Sequence, residues 1–254
     1  PPYSAPDEFK KKFPDTLQGN YDGEVAFTDY YVGKIIDDLK AANMLDNTLV
    51  VVVGDHGEAF GEHNEFGHSF FCYEENLRIP LIFHCPGLLK PLRVKNRANL
   101  IDIMPTLNVM YQLEKGEPLH GKSLVPMLKG EKEEKERTFY VESMHGKEEM
   151  GWAPLTGIIS DNYKYISLPQ PELYDLQADK NEKENLFFKK NRLAKQLDEK
   201  LMKLVRAHAG AGKDSRRQVT AADQQQLKSL GYISAFSGKG TKALDPKKGI
   251  LVKN

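Results

Sequence analysis

At 254 residues the chain is long enough to bury a substantial core, as one large domain or as one domain with a smaller appendage. Lys and Arg total 36, as do Asp and Glu, so the formal net charge is zero and gives no reason to expect broad binding to nucleic acid or to an anionic membrane. No apolar run approaches the ~20 residues that a membrane helix needs, and the two cysteines, Cys72 and Cys85, are too few for a disulfide framework, which leaves one bridge or two buried thiols.

The opening Pro1-Pro2-Tyr3-Ser4-Ala5-Pro6 is neither a start nor a targeting segment, so the chain is expected to be processed, truncated or excised from a longer protein. Residues 1–19, rich in Pro and polar groups, read as an extended arm. Val25, Tyr31 or Val32, Ile35, Ile36 and Leu39 then recur at helical spacing and predict a helix over 21–43, closed by turn residues Asn43 and Asp46-Asn47. Thr48–Val53 is short, β-branched and continuously apolar, the pattern of a parallel strand buried on both faces. It stops at Gly54-Asp55-His56-Gly57. A second buried strand is expected at Ile79–His84, ended by Pro86-Gly87, with a polar loop between the two.

Further on, 99–112 predicts a helix kinked at Pro105, and Leu124–Leu128 a helical turn. Glu131–Arg137 is a solvated charge run. Thr138–Glu142, Leu155–Ser160, Tyr163–Leu168 and Leu173–Leu176 are strand candidates with turn signals between them, so an antiparallel sheet is expected. Leu193, Leu197, Leu201, Leu204 and Val205 mark an amphipathic helix over 186–208. Beyond 209 the chain is rich in Gly, Lys and Ser, with a short helix expected at Ala221–Leu230 and a flexible end. The expected division is 1–130 as part of a catalytic α/β domain, 131–208 as a subdomain of antiparallel sheet plus helix, and 209–254 as a tail.

Chemistry concentrates at the end of the first strand. Ligand sites of open α/β sheets gather at carboxyl strand ends, and Gly54 and Gly57 flank Asp55-His56 so that two adjacent side chains can face one ion. A carboxylate suits Ca, Mg or Mn, and an imidazole admits Zn, Mn or Fe. His56, His63 and His68 with Glu58, Glu62 and Glu65 fall within the stretch 55–68. The competing readings are a solvated polar loop or a structural zinc site, but no Cys pair lies nearby and the histidine spacings of 7 and 5 do not match the usual ligand spacing.

The segment from Thr48 to Gly87, with Gly-Asp-His-Gly-Glu, Gly-Glu-His and Tyr-Glu-Glu-Asn-Leu-Arg-Ile-Pro, resembles the second signature region of sulfatases, members of the alkaline-phosphatase superfamily. Tyr21–Ala26 with Asp29, Val32 and Leu39 is similar to the family's helix before that strand. Asp102-Ile103-Met104-Pro105-Thr106-Leu107 resembles its D-x-x-P-T-L helix start, and His120–Leu124 its G-x-S-L loop. Pro171–Leu176 with Asn181-Glu182 and Asn185-Leu186 resembles its C-terminal segment. The resemblance covers roughly residues 1–232.

The resemblance implies an alkaline-phosphatase-like sandwich with mostly parallel central strands, a small C-terminal antiparallel sheet and a helix. It implies metal ligation by Asp55 and His56 and contact of His68 with the sulfate or the leaving-group oxygen. His63 reads as a further substrate contact or as a loop cap. Glu58 is expected to hydrogen-bond a site residue from behind. Arg78 and Pro80 read as structural, and Trp152 and His145 as pocket-lining or ordinary structural residues. The implied cofactors are a divalent metal, Ca2+ first with Mn2+ or Zn2+ as alternatives, and a formylglycine made from Cys or Ser in a C/S-x-P-x-R motif. None of Cys72, Cys85, Ser4 or Ser167 stands in such a motif. The formylglycine is therefore expected in a missing N-terminal half of the same protein, and this chain alone is expected to be inactive. The implied reaction is hydrolysis of a sulfate ester in an exported or lysosome-like compartment. Alternatives are a phosphodiesterase, phosphonate monoester hydrolase or phosphoglycerol transferase of the same superfamily, acting on phosphate-type esters, or a non-catalytic metal-binding remnant.

Overall fold

The computed structural model describes residues 3–113, 116, 119–131, 137–208 and 243–253. They fall into two compact units, Pro1–Asp55 with Ile79–Lys135 and His56–Arg78 with Glu136–Asn254. The loop 56–78, expected with the first block, belongs to the second unit because Phe70, Phe71, Cys72 and Tyr73 are buried in that unit's core. The expected helix at 221–230 lies outside the described residues.

In the first unit the expected extended arm contains a helical turn, α1 (Asp7–Lys10), and α2 spans Leu17–Ala41. The Thr16 side chain caps α2 by accepting a bond from the Gly19 amide at 3.0 Å. Gly19 and Gly23, four apart on one helix face, make the surface on which the arm lies: a Cβ at Gly19 would stand 2.0 Å from the Pro14 carbonyl oxygen. Phe9 is buried there, edge-on to Phe27 with ring centroids 5.2 Å apart. On other turns of α2, Val25, Tyr31 and Ile35 are each at least half exposed.

β1 (Val50–Val53) pairs with β4 (Leu81–His84) in antiparallel register, Val50 opposite His84 and Val53 opposite Leu81. The α/β class holds, but the parallel direction expected of the central strands is corrected for this pair. A parallel return needs a crossover, usually a long helix. Here the chain leaves β1, forms a small hairpin of β2 (Ala59–Phe60) and β3 (Phe66–Gly67), makes one helical turn, α3 (Glu74–Leu77), and returns alongside. Nor is the pair buried on both faces, since Val53 and Ile82 are exposed.

α4 (Ile103–Tyr111) follows a 3-10 turn at Leu100–Asp102. Pro105 causes no kink because it lies in the first turn, where its missing N–H has no helical partner to lose. Buried Asp102 closes a capping box with Asn99 and accepts from the Lys122 amide at 2.8 Å. The Thr106 hydroxyl donates to the Asp102 carbonyl at 2.6 Å and accepts from the Leu124 amide at 2.8 Å. The D-x-x-P-T-L and G-x-S-L motifs are thus two halves of one clasp, which leads into α5 (Val125–Leu128).

The second unit is built on a four-stranded antiparallel meander of β5 (Thr138–Ser143), β6 (Leu155–Ser160), β7 (Tyr163–Ser167) and β8 (Glu172–Asp175), with a further short helix, α6 (His145–Met150), after β5. Alternation along the strands separates two cores. Ile158, Tyr165 and Leu173 face α7 (Asn191–His208) through Ala194, Leu197 and Leu201. Ile159, Ile166 and Tyr174 face Phe70–Tyr73, Trp152 and Ile250. Ile250 belongs to α8 (Pro246–Lys253), so residues 243–253, expected to be a flexible end, are docked. Buried Asp245 accepts from the Gln170 amide at 2.9 Å, and Lys247 pairs with Glu172 at 2.7 Å. Cys72 and Cys85 are unbridged buried thiols, and burial pushes the Cys72 thiol up to about 12.

Candidate active site

Asp55 follows β1 directly and is exposed, and its unit ends there. The Gly54 amide, one residue earlier, donates to the Pro80 carbonyl at 3.2 Å, which fixes where the strand ends. His56 begins the second unit. The Gly57 amide donates to the Asn76 carbonyl at 2.8 Å, and a Cβ at Gly57 would meet the Glu75 carbonyl oxygen at 2.0 Å, so only glycine allows this approach.

The hairpin register accounts for the next contact. Ala59 pairs with Gly67, which sets Glu58 and His68 across from each other at its open end. His68 Nδ1 donates to Glu58 Oε2 at 3.0 Å, with the Glu58 side chain 5 % exposed. The His68 ring stacks on His56 with centroids 3.8 Å apart and planes 23° from parallel. His56 Nδ1 donates to the Gly57 carbonyl at 2.8 Å. In both rings a hydrogen bond occupies Nδ1.

His63 has a different setting. At the hairpin tip, with left-handed backbone at His63 and Asn64, its Nδ1 donates to Glu75 at 2.6 Å and its Nε2 to the Glu182 carbonyl at 3.1 Å. Its ring lies flat on Tyr73, centroids 3.6 Å apart. Both partners are acceptors, so only the imidazolium satisfies both. Burial alone would lower its pKa, but Glu75 and the Glu182 carbonyl outweigh burial and hold it above the usual 6.5. Neither ring nitrogen is left for a substrate in this arrangement. Trp152 is buried in the core and Phe70 packs on both it and His145, which places Trp152 with the scaffold.

Three residues of this region had no individual role assigned from the sequence. Glu65 is 1 % exposed and accepts from the amides of Ser69 at 3.0 Å and Phe70 at 2.6 Å and from Asn76 Nδ2 at 2.7 Å. Burial raises its carboxyl to about 7 against the pull of those donors. Lys164, wholly buried on β7, pairs with Glu182 at 2.8 Å and Glu74 at 3.0 Å and donates to the Cys72 carbonyl at 3.0 Å. The third is Asn76. The only signal available for Glu65 was a lone carboxylate among Phe66, Phe70 and Phe71.

Among the described residues no group of three or more His, Cys, Asp or Glu side chains is placed to hold a metal, and no helix is long and apolar enough to cross a membrane. Glu58 Oε1, beside the His68 bond, is buried without a hydrogen-bond partner, so this carboxylate keeps an unused acceptor.

Comparison with known proteins gives the family of the chain. The sulfatase family model matches residues 1–108, and that for the C-terminal part of N-sulphoglucosamine sulphohydrolase matches 61–207. The chain is 37% identical to a choline-sulfatase of Rhizobium meliloti (strain 1021) over 172 residues, 65% of this chain and 32% of that protein. It is 31% identical to arylsulfatase K of Gallus gallus over 210 residues, 78% of this chain and 38% of that protein. The chain therefore spans about a third of the length of these relatives. Among solved structures, the phosphonate monoester hydrolase of Agrobacterium radiobacter superposes with a TM-score of 0.63 at 26% identity, covering 76% of this chain and 42% of that one. With matched segments running from the N-terminal arm through α7, this chain belongs to the sulfatase family.

Proposed function

We propose that this chain supplies the leaving-group side and two metal ligands of a sulfate-ester hydrolase. The Glu58–His68 hydrogen bond, with His68 stacked on His56, carries the proposal. The Glu58 carboxylate fixes the His68 ring through Nδ1. A doubly protonated His68 passes its Nε2 proton to the departing alkoxide oxygen and is left as the Nδ1–H tautomer, which Glu58 still holds. Asp55 and His56, which stand at the ligand positions of the family's pattern, are the residues that would hold a divalent metal. A divalent metal, Ca2+ first and Mn2+ or Zn2+ as alternatives, would neutralise charge on the bound ester. The formylglycine nucleophile is assigned to a part of the enzyme outside residues 1–254, and His63 to holding the loop in place.

His68→Ala in the complete enzyme is expected to lower kcat on an alkyl sulfate, a poor leaving group, by about 10²–10⁴ and on 4-nitrophenyl sulfate by less. The likeness to a phosphonate monoester hydrolase supports a second reading, in which the ester is a phosphonate or phosphate. Comparing 4-nitrophenyl sulfate with 4-nitrophenyl phenylphosphonate separates the two. If neither is hydrolysed, the enzyme reading fails.

A further inference from the structure

We propose that Glu65 is the positioning residue for the His56–His68 pair, acting through Asn76 on one side and the Ser69 and Phe70 amides on the other. Starting at His56, the next amide, Gly57 N–H, donates to the Asn76 carbonyl at 2.8 Å. The Asn76 side chain donates to Glu65 Oε2 at 2.7 Å. Glu65 Oε1 accepts from the Ser69 and Phe70 amides, the two that follow His68. One side chain therefore ties the backbone beside one histidine to the backbone beside the other. The Glu65 carbonyl also accepts from Gly61 at 2.8 Å, closing the hairpin that sets Glu58 opposite His68.

A simpler role, in which Glu65 fills core space, does not account for its contacts. A leucine would suit a site beside Phe70 and Phe71 without the cost of desolvating a carboxylate. What the carboxylate adds is several acceptor sites fixed in one plane. With Glu65→Leu, two amides lose their side-chain acceptor, the Asn76 side chain keeps only the Phe71 carbonyl at 3.3 Å, and the two ring positions are set independently. Displacement of a reacting group by about 1 Å can cost 10²-fold in rate.

The proposal rests on reading His68 as the leaving-group residue, and its test separates the two. In the complete enzyme, kcat/KM is measured on an alkyl sulfate and on 4-nitrophenyl sulfate, a poor and a good leaving group. Their ratio does not depend on how much protein folds. Glu65→Leu is expected to depress the alkyl ester about tenfold more than the nitrophenyl ester, and Glu65→Gln, which keeps an acceptor, to restore the ratio. An unchanged ratio in Glu65→Leu overturns the proposal. If Glu65→Leu does not fold, Asn76→Ser, which cuts the same tie, must shift the ratio in the same direction, and no shift overturns it. If the wild type acts only on phosphonate esters, the sulfate reading fails and the ratio is read on that ester pair. If it acts on none, the 15N–1H spectra of the histidine rings decide: Glu65→Leu must move His56 and His68 while leaving His63 in place, and unmoved signals overturn the proposal.

Discussion

Glu65 and His63 sit near one another in the hairpin and favour the folded chain over the same side of the pH scale. Burial raises Glu65 from the usual 4.5 to about 7, so between these values the folded chain keeps a proton that the unfolded chain has lost. Stability fully present below pH 4.5 therefore falls as pH rises toward 7. His63, held above 6.5, contributes fully below that value and loses its contribution as pH rises through its folded pKa. Glu65→Gln is expected to remove a pH-dependent penalty on the order of 3 kcal/mol between weak acid and pH 8. Thermal unfolding followed by the emission of Trp152, the single tryptophan, checks this. A difference between Glu65→Gln and wild type that stays constant with pH refutes it. Asp55 and His56 could be suspected from their residue types at a strand end, and the role proposed for His68 only from the family resemblance. The Glu65 tie could not, because its partners are main-chain amides and an asparagine, and no residue pattern encodes a main-chain donor.

At the scale of elements, small contacts decide where the functional groups sit. Two residue pairs of β2 and β3 set Glu58 against His68, and a slip of one would move His68 to the other face. Gly57→Ala places a methyl group 2.0 Å from a carbonyl oxygen that cannot move without α3, so loss of the His56–His68 stacking shift in NMR spectra is expected. In the clasp before α4, Thr106→Val keeps the shape but strips the Leu124 amide of its acceptor, at a cost of about 1–3 kcal/mol in unfolding free energy. A loss below a few tenths would show that the hydroxyl is dispensable. The amphipathic pattern of Leu193, Leu197 and Leu201 identified α7, because period and burial coincide there. The direction of β1 and β4 was not legible, since an apolar run reports burial and not the orientation of its neighbour.

Across the whole molecule the two units differ in what they leave uncovered. In the second, the meander is covered on both faces, by α7 and by the 70–73 segment with α8. In the first, Tyr31 and Ile35 on α2, Ile82 on β4 and Met104 and Val109 on α4 are all more than half exposed. Hollows of about 420 and 450 Å³ lie on α2 and beside β4, not on the 56–78 loop. Apolar exposure on this scale marks a surface that another element covers. The remainder of a sulfatase domain is the proposed cover, given relatives of which this chain spans about a third. Residues 1–254 alone are expected to bind an apolar dye such as anilinonaphthalene sulfonate, and adding that remainder to release it. Absence of dye binding by the chain alone would count against this cover. The division into units could not be read in advance because residues 56–78 leave one unit and join the other within a single loop.

The docking of residues 243–253 sets an order on biogenesis. Trp152, Gly249 and Ile250 share one core, yet the ribosome makes the tryptophan long before its partners. At roughly 5–20 residues per second, several seconds pass in which Trp152 lacks the part of its cover that α8 supplies. The β5–β8 pairings and α7 can form in that interval from neighbouring segments, but the Trp152 face waits for a late, distant piece of chain. That interval is when a holding chaperone would have a target, and a premature stop after α7 would make it permanent.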